Sequence, residues 1–124
     1  MSIRIDSILL IDSDNKYEVN TITYSPIGGT GTTILFGNDN IAFPEEIGFD
    51  FRFFCNYYSK FYLSSNGFLT FSPNQYHGCC EGGLLPSNIQ PNNLIAFAWT
   101  NLNPIISGSV DFFTTGIAPN RILV

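Results

Sequence analysis

Apolar and polar residues alternate along several short stretches of the chain, most clearly in residues 47–54. Ile or Phe occupies every odd position from 47 to 53, while Asp50 and Arg52 occupy polar positions between them. Because side chains of a β-strand point alternately to opposite faces, this pattern predicts a strand with one buried face.

Comparable stretches recur along the rest of the chain, each bounded by clusters of Gly, Pro, Asn or Asp. No window places apolar residues at helical spacing over three turns, and 11 Gly with 7 Pro interrupt the sequence too often for long helices. The pattern predicts an all-β fold, an antiparallel and jelly-roll-like β-sandwich with little helix. The further strands are expected at residues 6–11, 17–24, 32–36, 61–65, 68–72, 94–99, 110–114 and 121–124.

A tight turn is predicted at Asn66-Gly67, in the middle of the stretch FYLSSNGFLTF at residues 61–71. Asn-Gly is the preferred pair for a two-residue type I′ turn, whose positive φ angles match the twist of antiparallel strands. In that register Leu63 faces Thr70, and apolar side chains occupy both faces of the hairpin. We therefore expect the hairpin inside the sheet, with one face on the core and the other against a loop or a partner.

Composition and charge narrow the classes of function. The 124-residue chain is 44% hydrophobic and 15% aromatic but only 12% charged, which suits a single folded domain over residues 1–124. Its net charge is −5 and its five Lys and Arg are scattered, so nucleic acid binding is not expected. The apolar run at residues 8–11 is closed by Asp12 and Asp14, so neither membrane insertion nor a signal peptide is expected.

The three cysteines give the chain its tightest chemical cluster, the stretch HGCCE at residues 77–81. A disulfide between Cys55 and either Cys79 or Cys80, or thiols in the loop, is the favoured interpretation. Two alternatives stay open: a zinc site built from His77 and the cysteines, and a thiol-dependent enzyme with His77 as the base. Adjacent cysteines fit poorly around one zinc ion, so we expect no metal site, no cofactor and no catalytic residue.

Aromatic residues beside predicted loops are candidates for contacts with a ligand or partner. Tyr57, Tyr58 and Tyr76 flank loops, His77 follows Tyr76, and Trp99 is the only Trp of the chain. Burial at the rim of the fold would explain the tyrosines equally well. For Trp99 core packing is the default, and a platform for carbohydrate stacking is the alternative.

Four stretches occur in the order of a known sequence pattern: GGT at residues 28–30, residues 47–54 with 56–58, residues 61–71 with SSNGFLTF, and residues 90–104 with PNNLIAFAW. Together they resemble the nidogen-like and plexin-repeat-like extracellular β-sandwich modules of bacterial surface proteins and some viral proteins. The chain departs from that pattern where Cys55 replaces a Gly and Asn101 replaces an Asp. Such modules are not generally known for catalysis, so the resemblance implies a fold and a surface location.

These features predict a non-catalytic structural or adhesive module of a virion or of an extracellular or cell surface. Its expected partners are other protein chains in an oligomer or larger assembly, or glycans, and a lectin-like carbohydrate-binding module is the alternative. A virion protein needs no export signal, so the lack of a visible leader favours the virion. The resemblance also implies further strands after residues 121–124, so we expect a C-terminally incomplete domain or strand addition from a neighbouring chain.

Overall fold

A computed structural model of the chain describes residues 8–9, 18–19, 21, 23, 25–79 and 81–124. These residues contain strands and no helix, which confirms the predicted all-β fold, and they include no helix that could cross a membrane. The predicted strands at 6–11 and 17–24 lie largely outside the described residues. The strands are β1 (Ile8–Leu9), β2 (Glu18–Val19), β3 (Thr32–Ile34), β4 (Glu45–Phe53), β5 (Asn56–Ser64), β6 (Phe68–Thr70), β7 (Leu94–Ala96), β8 (Val110–Phe112), β9 (Thr114–Thr115) and β10 (Ile122–Leu123).

The largest sheet has four antiparallel strands in the order β4-β5-β6-β7. In β4 the predicted alternation is confirmed, since Ile47 and Phe53 are buried while Asp50 and Arg52 are exposed. The inward side chains of this sheet form one apolar cluster that also includes Phe61 and Leu63 of β5. Burying a side chain of this size contributes about 1.5–3 kcal/mol, so this face is the main source of stability.

Shorter strand pairs contribute side chains to the same core. β3 pairs with β8, β10 pairs with β9, and β8 and β9 are separated only by Phe113, whose N–H and C=O both bond to Val124. The β3–β8 pair contributes Ile34 to the cluster and packs Phe112 against it, and the ring of Phe112 meets that of Phe61 edge-on at 5.2 Å. Strands outside the four-stranded sheet thus share its core, while the jelly-roll-like sandwich stays a prediction.

The hairpin between β5 and β6 differs from its predicted register. Ser64 lies opposite Phe68 and Leu63 opposite Leu69, so the loop has three residues rather than two. Only Gly67, with φ of +80°, is left-handed, and its N–H bonds to the C=O of Ser64 at 3.2 Å. A type I′ turn needs positive φ at both central residues, and Asn66 does not supply it. The prediction of a two-residue type I′ turn at Asn66-Gly67 is therefore wrong by one residue.

A two-residue turn with two positive φ angles occurs instead between β4 and β5. Phe53 lies opposite Asn56, and the intervening Phe54 and Cys55 have φ of +43° and +66°. This turn starts β5 at Asn56, five residues before the predicted start at 61. On the exposed side of the same hairpin, Lys60 Nζ lies 3.0 Å from Glu46 Oε1, and the hydrogen bond to Glu46 and its charge raise the pKa of Lys60.

Candidate functional site

Asn66 is the centre of a buried polar junction at one end of the four-stranded sheet. Its side chain is 0% exposed, and its Nδ2 donates hydrogen bonds to Asp39 Oδ1 at 3.0 Å and to the C=O of His77 at 3.2 Å. Its Oδ1 accepts a hydrogen bond from the N–H of Leu102 at 3.2 Å. One amide thus connects three separate loops, which we call together the Asn66 junction.

The two serines before Asn66 complete this junction. Ser64 Oγ donates to the C=O of His77 at 2.7 Å, and it accepts from the N–H of Asn66 at 3.1 Å. Ser65 Oγ accepts from the N–H of Asn40 at 2.9 Å, and the N–H of Ser65 donates to the C=O of Asn40. Within the described part of the chain, no buried side-chain nitrogen or oxygen lacks a hydrogen bond. The junction is therefore fully satisfied, as a stable buried network requires.

Trp99 fixes the next part of the loop that joins β6 to β7. Its Nε1 donates to the C=O of Gly78 at 2.9 Å, and its ring lies 5.3 Å from that of Phe68. A Cβ atom at Gly78 would come within 2.6 Å of Trp99 Nε1, and one at Gly83 within 3.0 Å of the six-membered ring. The indole is therefore packed between Phe68 and the glycine backbone, which favours the default of core packing over carbohydrate stacking. The second apolar face of the hairpin, predicted to meet a loop or a partner, meets this loop.

Tyr76, His77 and Cys79 form one local network in the same loop. Tyr76 Oη donates to the C=O of Cys79 at 2.9 Å, and the N–H of Cys79 points at His77 Nδ1 at 3.3 Å. The rings of Tyr76 and His77 lie 4.3 Å apart. His77 Nδ1 is therefore occupied as an acceptor within the loop.

The cysteines are distributed differently from the favoured interpretation. Cys79 is disulfide-bonded, whereas Cys55 is an exposed thiol in the turn between β4 and β5. The predicted disulfide through Cys55 is therefore wrong, because the turn between β4 and β5 places this residue at the exposed tip of a hairpin. Cys80 lies outside the described residues. Among the residues that the structure describes, no three His, Cys, Asp or Glu side chains are grouped so that they could hold a metal ion.

The loop between β6 and β7 also exposes several apolar side chains close to Tyr76 and Trp99. A groove of about 440 Å³, which we call the loop groove, is lined by Tyr76, Leu84, Leu85, Ile89 and Trp99 among others. Leu84 is 92% exposed and Ile89 75%. The loop groove offers contact area to an apolar partner, and of its described lining residues only Glu81 carries a charge.

The other predicted contact residues lie elsewhere. Tyr57 and Tyr58 belong to β5 and do not line the loop groove. Tyr57 is exposed, whereas Tyr58 stacks on Phe71 at 4.8 Å and accepts a hydrogen bond from Asn93 Nδ2 at 3.0 Å. Of the candidates named from the sequence, the structure therefore brings Tyr76 and Trp99 together in one groove, with His77 beside Tyr76.

Sequence reasoning missed the roles of Asp39 and Asn66. Both stand in stretches rich in Asn, Asp and Gly that are typical of solvated turns. A usable signal was the run of small polar residues 64–66 directly between two apolar strands, since such a run inside a core must bond to something.

Comparison with known proteins agrees with this architecture. The model of the NIDO-related family matches residues 16–124, which includes all four stretches of the resemblance and every element of the Asn66 junction. No curated protein and no solved structure matches the chain. Because the family model covers most of the chain, the predicted resemblance is confirmed. The chain belongs to the NIDO-related family and is a nidogen-like module.

Proposed function

We propose that this module is a non-catalytic structural or adhesive unit of an extracellular or virion surface, and that it acts by binding other protein chains. NIDO-related domains are typically extracellular, which supports the surface location. The loop groove is the observation that carries the proposal. Apolar side chains exposed together beside a groove are typical of interaction surfaces.

The anchoring of the loop supports a role in binding. Its first half is held by the C=O groups of His77 and Gly78, which accept hydrogen bonds from Ser64 of β5, Asn66 of the hairpin loop and Trp99 after β7. Residues 81–90 between the anchored parts are all exposed. A loop that is already ordered loses less conformational entropy on binding, so more of its contact energy contributes to affinity.

The chemistry of the loop groove favours protein over glycan as the partner. Leu84, Leu85 and Ile89 have no hydrogen-bonding group to offer to sugar hydroxyls. Each of them would contribute about 1.5–3 kcal/mol if a partner buried it completely. A few such aliphatic anchors, surrounded by contacts that exclude water, can dominate the energy of a protein interface.

A pair of double variants tests the proposal. Leu84→Ser with Ile89→Ser removes the apolar side chains of the loop groove, while Leu35→Ser with Ile117→Ser removes residues of the same types that are 90% and 85% exposed elsewhere. Binding of labelled protein to cultured cells and to immobilised matrix proteins should fall at least tenfold for the first pair and stay unchanged for the second. Equal binding by both pairs would contradict the role of the loop groove.

Two further measurements distinguish this proposal from a glycan-binding module and from a zinc- or thiol-dependent enzyme. Selective binding on a glycan array that is lost in Tyr76→Ala would identify a glycan as the partner instead of a protein. Stoichiometric zinc in the purified protein, or a turnover lost in Cys80→Ser, would contradict a non-catalytic module.

A further inference from the structure

A gap lies between β10 and the four-stranded sheet, and we call it the strand slot. It has a volume of about 260 Å³, and its apolar lining includes Phe49 and Phe51 of β4, Leu69 of β6, Ile95 of β7 and Leu123 of β10. These five side chains are among those only partly buried around the core cluster. In the described part of the chain, the apolar face of the four-stranded sheet is therefore only partly covered next to β10.

The strand slot adjoins an open strand edge. The N–H and C=O of Val124 both bond to Phe113, so the N–H and C=O of the preceding residue, Leu123, point away from β9. In the described part of the chain, β10 has no strand partner other than β9. A further strand beside β10 would bond to this edge and, by alternation, place every second side chain into the slot.

We propose that the strand slot accepts residues 3–11 of a second copy of this chain as an added strand. Residues 1–15 lie outside the region that the family model matches, so the segment is additional to the module. As a strand, its odd positions would form a face that is apolar except for Ser7: Ile3, Ile5, Leu9 and Ile11. The opposite face would carry Arg4 and Asp6 in its first half and two aliphatic residues in its second half. The face of the odd positions matches a slot whose lining is almost entirely apolar.

Charge also favours this occupant. Among the described residues that line the strand slot, Arg121 alone is charged. Residues 3–11 are formally neutral, since they contain one Arg and one Asp, and Asp12 and Asp14 follow them directly. These two carboxylates at the end of the added strand are attracted to Arg121, although the whole chain carries a charge of −5.

The donor segment must leave its place in its own chain. Ile8–Leu9 pairs there with Glu18–Val19 in a two-stranded ladder. An isolated two-stranded pairing is marginally stable in water, whereas a strand in the slot gains both the edge hydrogen bonds of β10 and apolar burial. Because donor and acceptor surfaces are different, the contact is head-to-tail and produces rings or open chains of subunits.

The test mixes two full-length variants whose defects are complementary. Ile3→Asp with Ile5→Asp destroys the apolar face of the donor segment, and Ile95→Trp fills the strand slot. Light scattering after size exclusion should show wild-type oligomers, monomers for each variant alone and a 1:1 dimer for their mixture. Arg4→Ser with Asp6→Ser alters the opposite face of the segment at constant net charge and should keep the wild-type mass.

Several results would overturn the proposal: a monomeric wild type at all concentrations, oligomers that survive in either variant, or a mixture that stays monomeric. A synthetic peptide of residues 1–13 provides a second measurement should Ile95→Trp fail to fold. Added to the Ile3→Asp, Ile5→Asp chain, it should slow hydrogen exchange at the Leu123 amide, and no change there also overturns the proposal. None of these measurements involves the loop groove, so they leave the proposed function to its own test.

Discussion

Replacing Asn66 with alanine removes the three side-chain hydrogen bonds that connect Asp39, His77 and Leu102 to the β5–β6 hairpin. The site is completely buried, so water cannot easily take the place of the lost amide. The C=O of His77 keeps its bond from Ser64, whereas the N–H of Leu102 loses its acceptor. The substitution therefore combines lost bonds with a main-chain donor that is left without its acceptor in a part-buried position.

The expected loss of stability in Asn66→Ala follows from the three groups that the Asn66 amide binds. Two of the bonds involve neutral main-chain groups and contribute about 0.5–1.5 kcal/mol each, while the bond to a carboxylate contributes about 1.5–3 kcal/mol. We expect Asn66→Ala to lower the free energy of unfolding by roughly 4 kcal/mol, a large part of the about 5–15 kcal/mol typical of a domain. Asn66→Asp should cost at least as much at pH 7, because a second carboxylate would face Asp39 without a proton to donate.

Urea denaturation followed by fluorescence measures this loss, and Trp99, the only Trp, lies in the same loop system. Asn38→Ala is the matched control, since Asn38 donates from an exposed position to the other oxygen of Asp39 at 3.0 Å. The control should cost less than about 0.5 kcal/mol, as is usual for exposed sites. A loss below about 1 kcal/mol for Asn66→Ala would refute the view that the junction holds the loops.

Three other substitutions have outcomes that the structure predicts. Gly67→Ala should destabilise the protein by more than about 3 kcal/mol, because the added Cβ overlaps the C=O of Ala98 at a positive φ. Gly108 also has a positive φ, but a Cβ there meets no atom within 4 Å, so Gly108→Ala should cost only about 1–2 kcal/mol. Equal losses of stability in thermal melts of the two variants would contradict this. Cys55→Gly should raise the melting temperature by a few degrees, because it relieves a left-handed φ of +66°, and a lower melting temperature would show that the thiol contributes more than the strain. Trp99→Phe should lose one hydrogen bond of about 1 kcal/mol and speed amide exchange in residues 78–83, and unchanged exchange there would rule out the indole as an anchor.

The fold class could be predicted because the signals behind it are local. The alternation in β4 follows from the geometry of a single strand, and Ile47 and Phe53 are buried as that geometry requires. The register of the β5–β6 hairpin could not be predicted in the same way. The preference of Asn-Gly for a type I′ turn was outweighed by distant groups, since the bonds from Asn66 reach partners 11 to 36 residues away in sequence.

The candidate site was predicted only in part for the same reason. Tyr76 and Trp99 were named from the sequence because large aromatic residues near loops are recognisable one at a time. Their meeting in one groove depends on the path of a long loop, which is fixed by close approaches such as that of Gly78 to Trp99. Such approaches depend on three-dimensional packing and leave no periodic trace in the sequence.

The partners of Asn66 also bear on how freely the loops of this module can change. Two of the three groups that its amide binds, the C=O of His77 and the N–H of Leu102, belong to the main chain and are present whatever side chain stands there. Neighbouring loops can therefore accumulate substitutions at positions 77 and 102 and keep their attachment to the sheet. Because Asn66 binds main-chain groups of these loops, the loop side chains can change in evolution while the loops stay attached to the sheet.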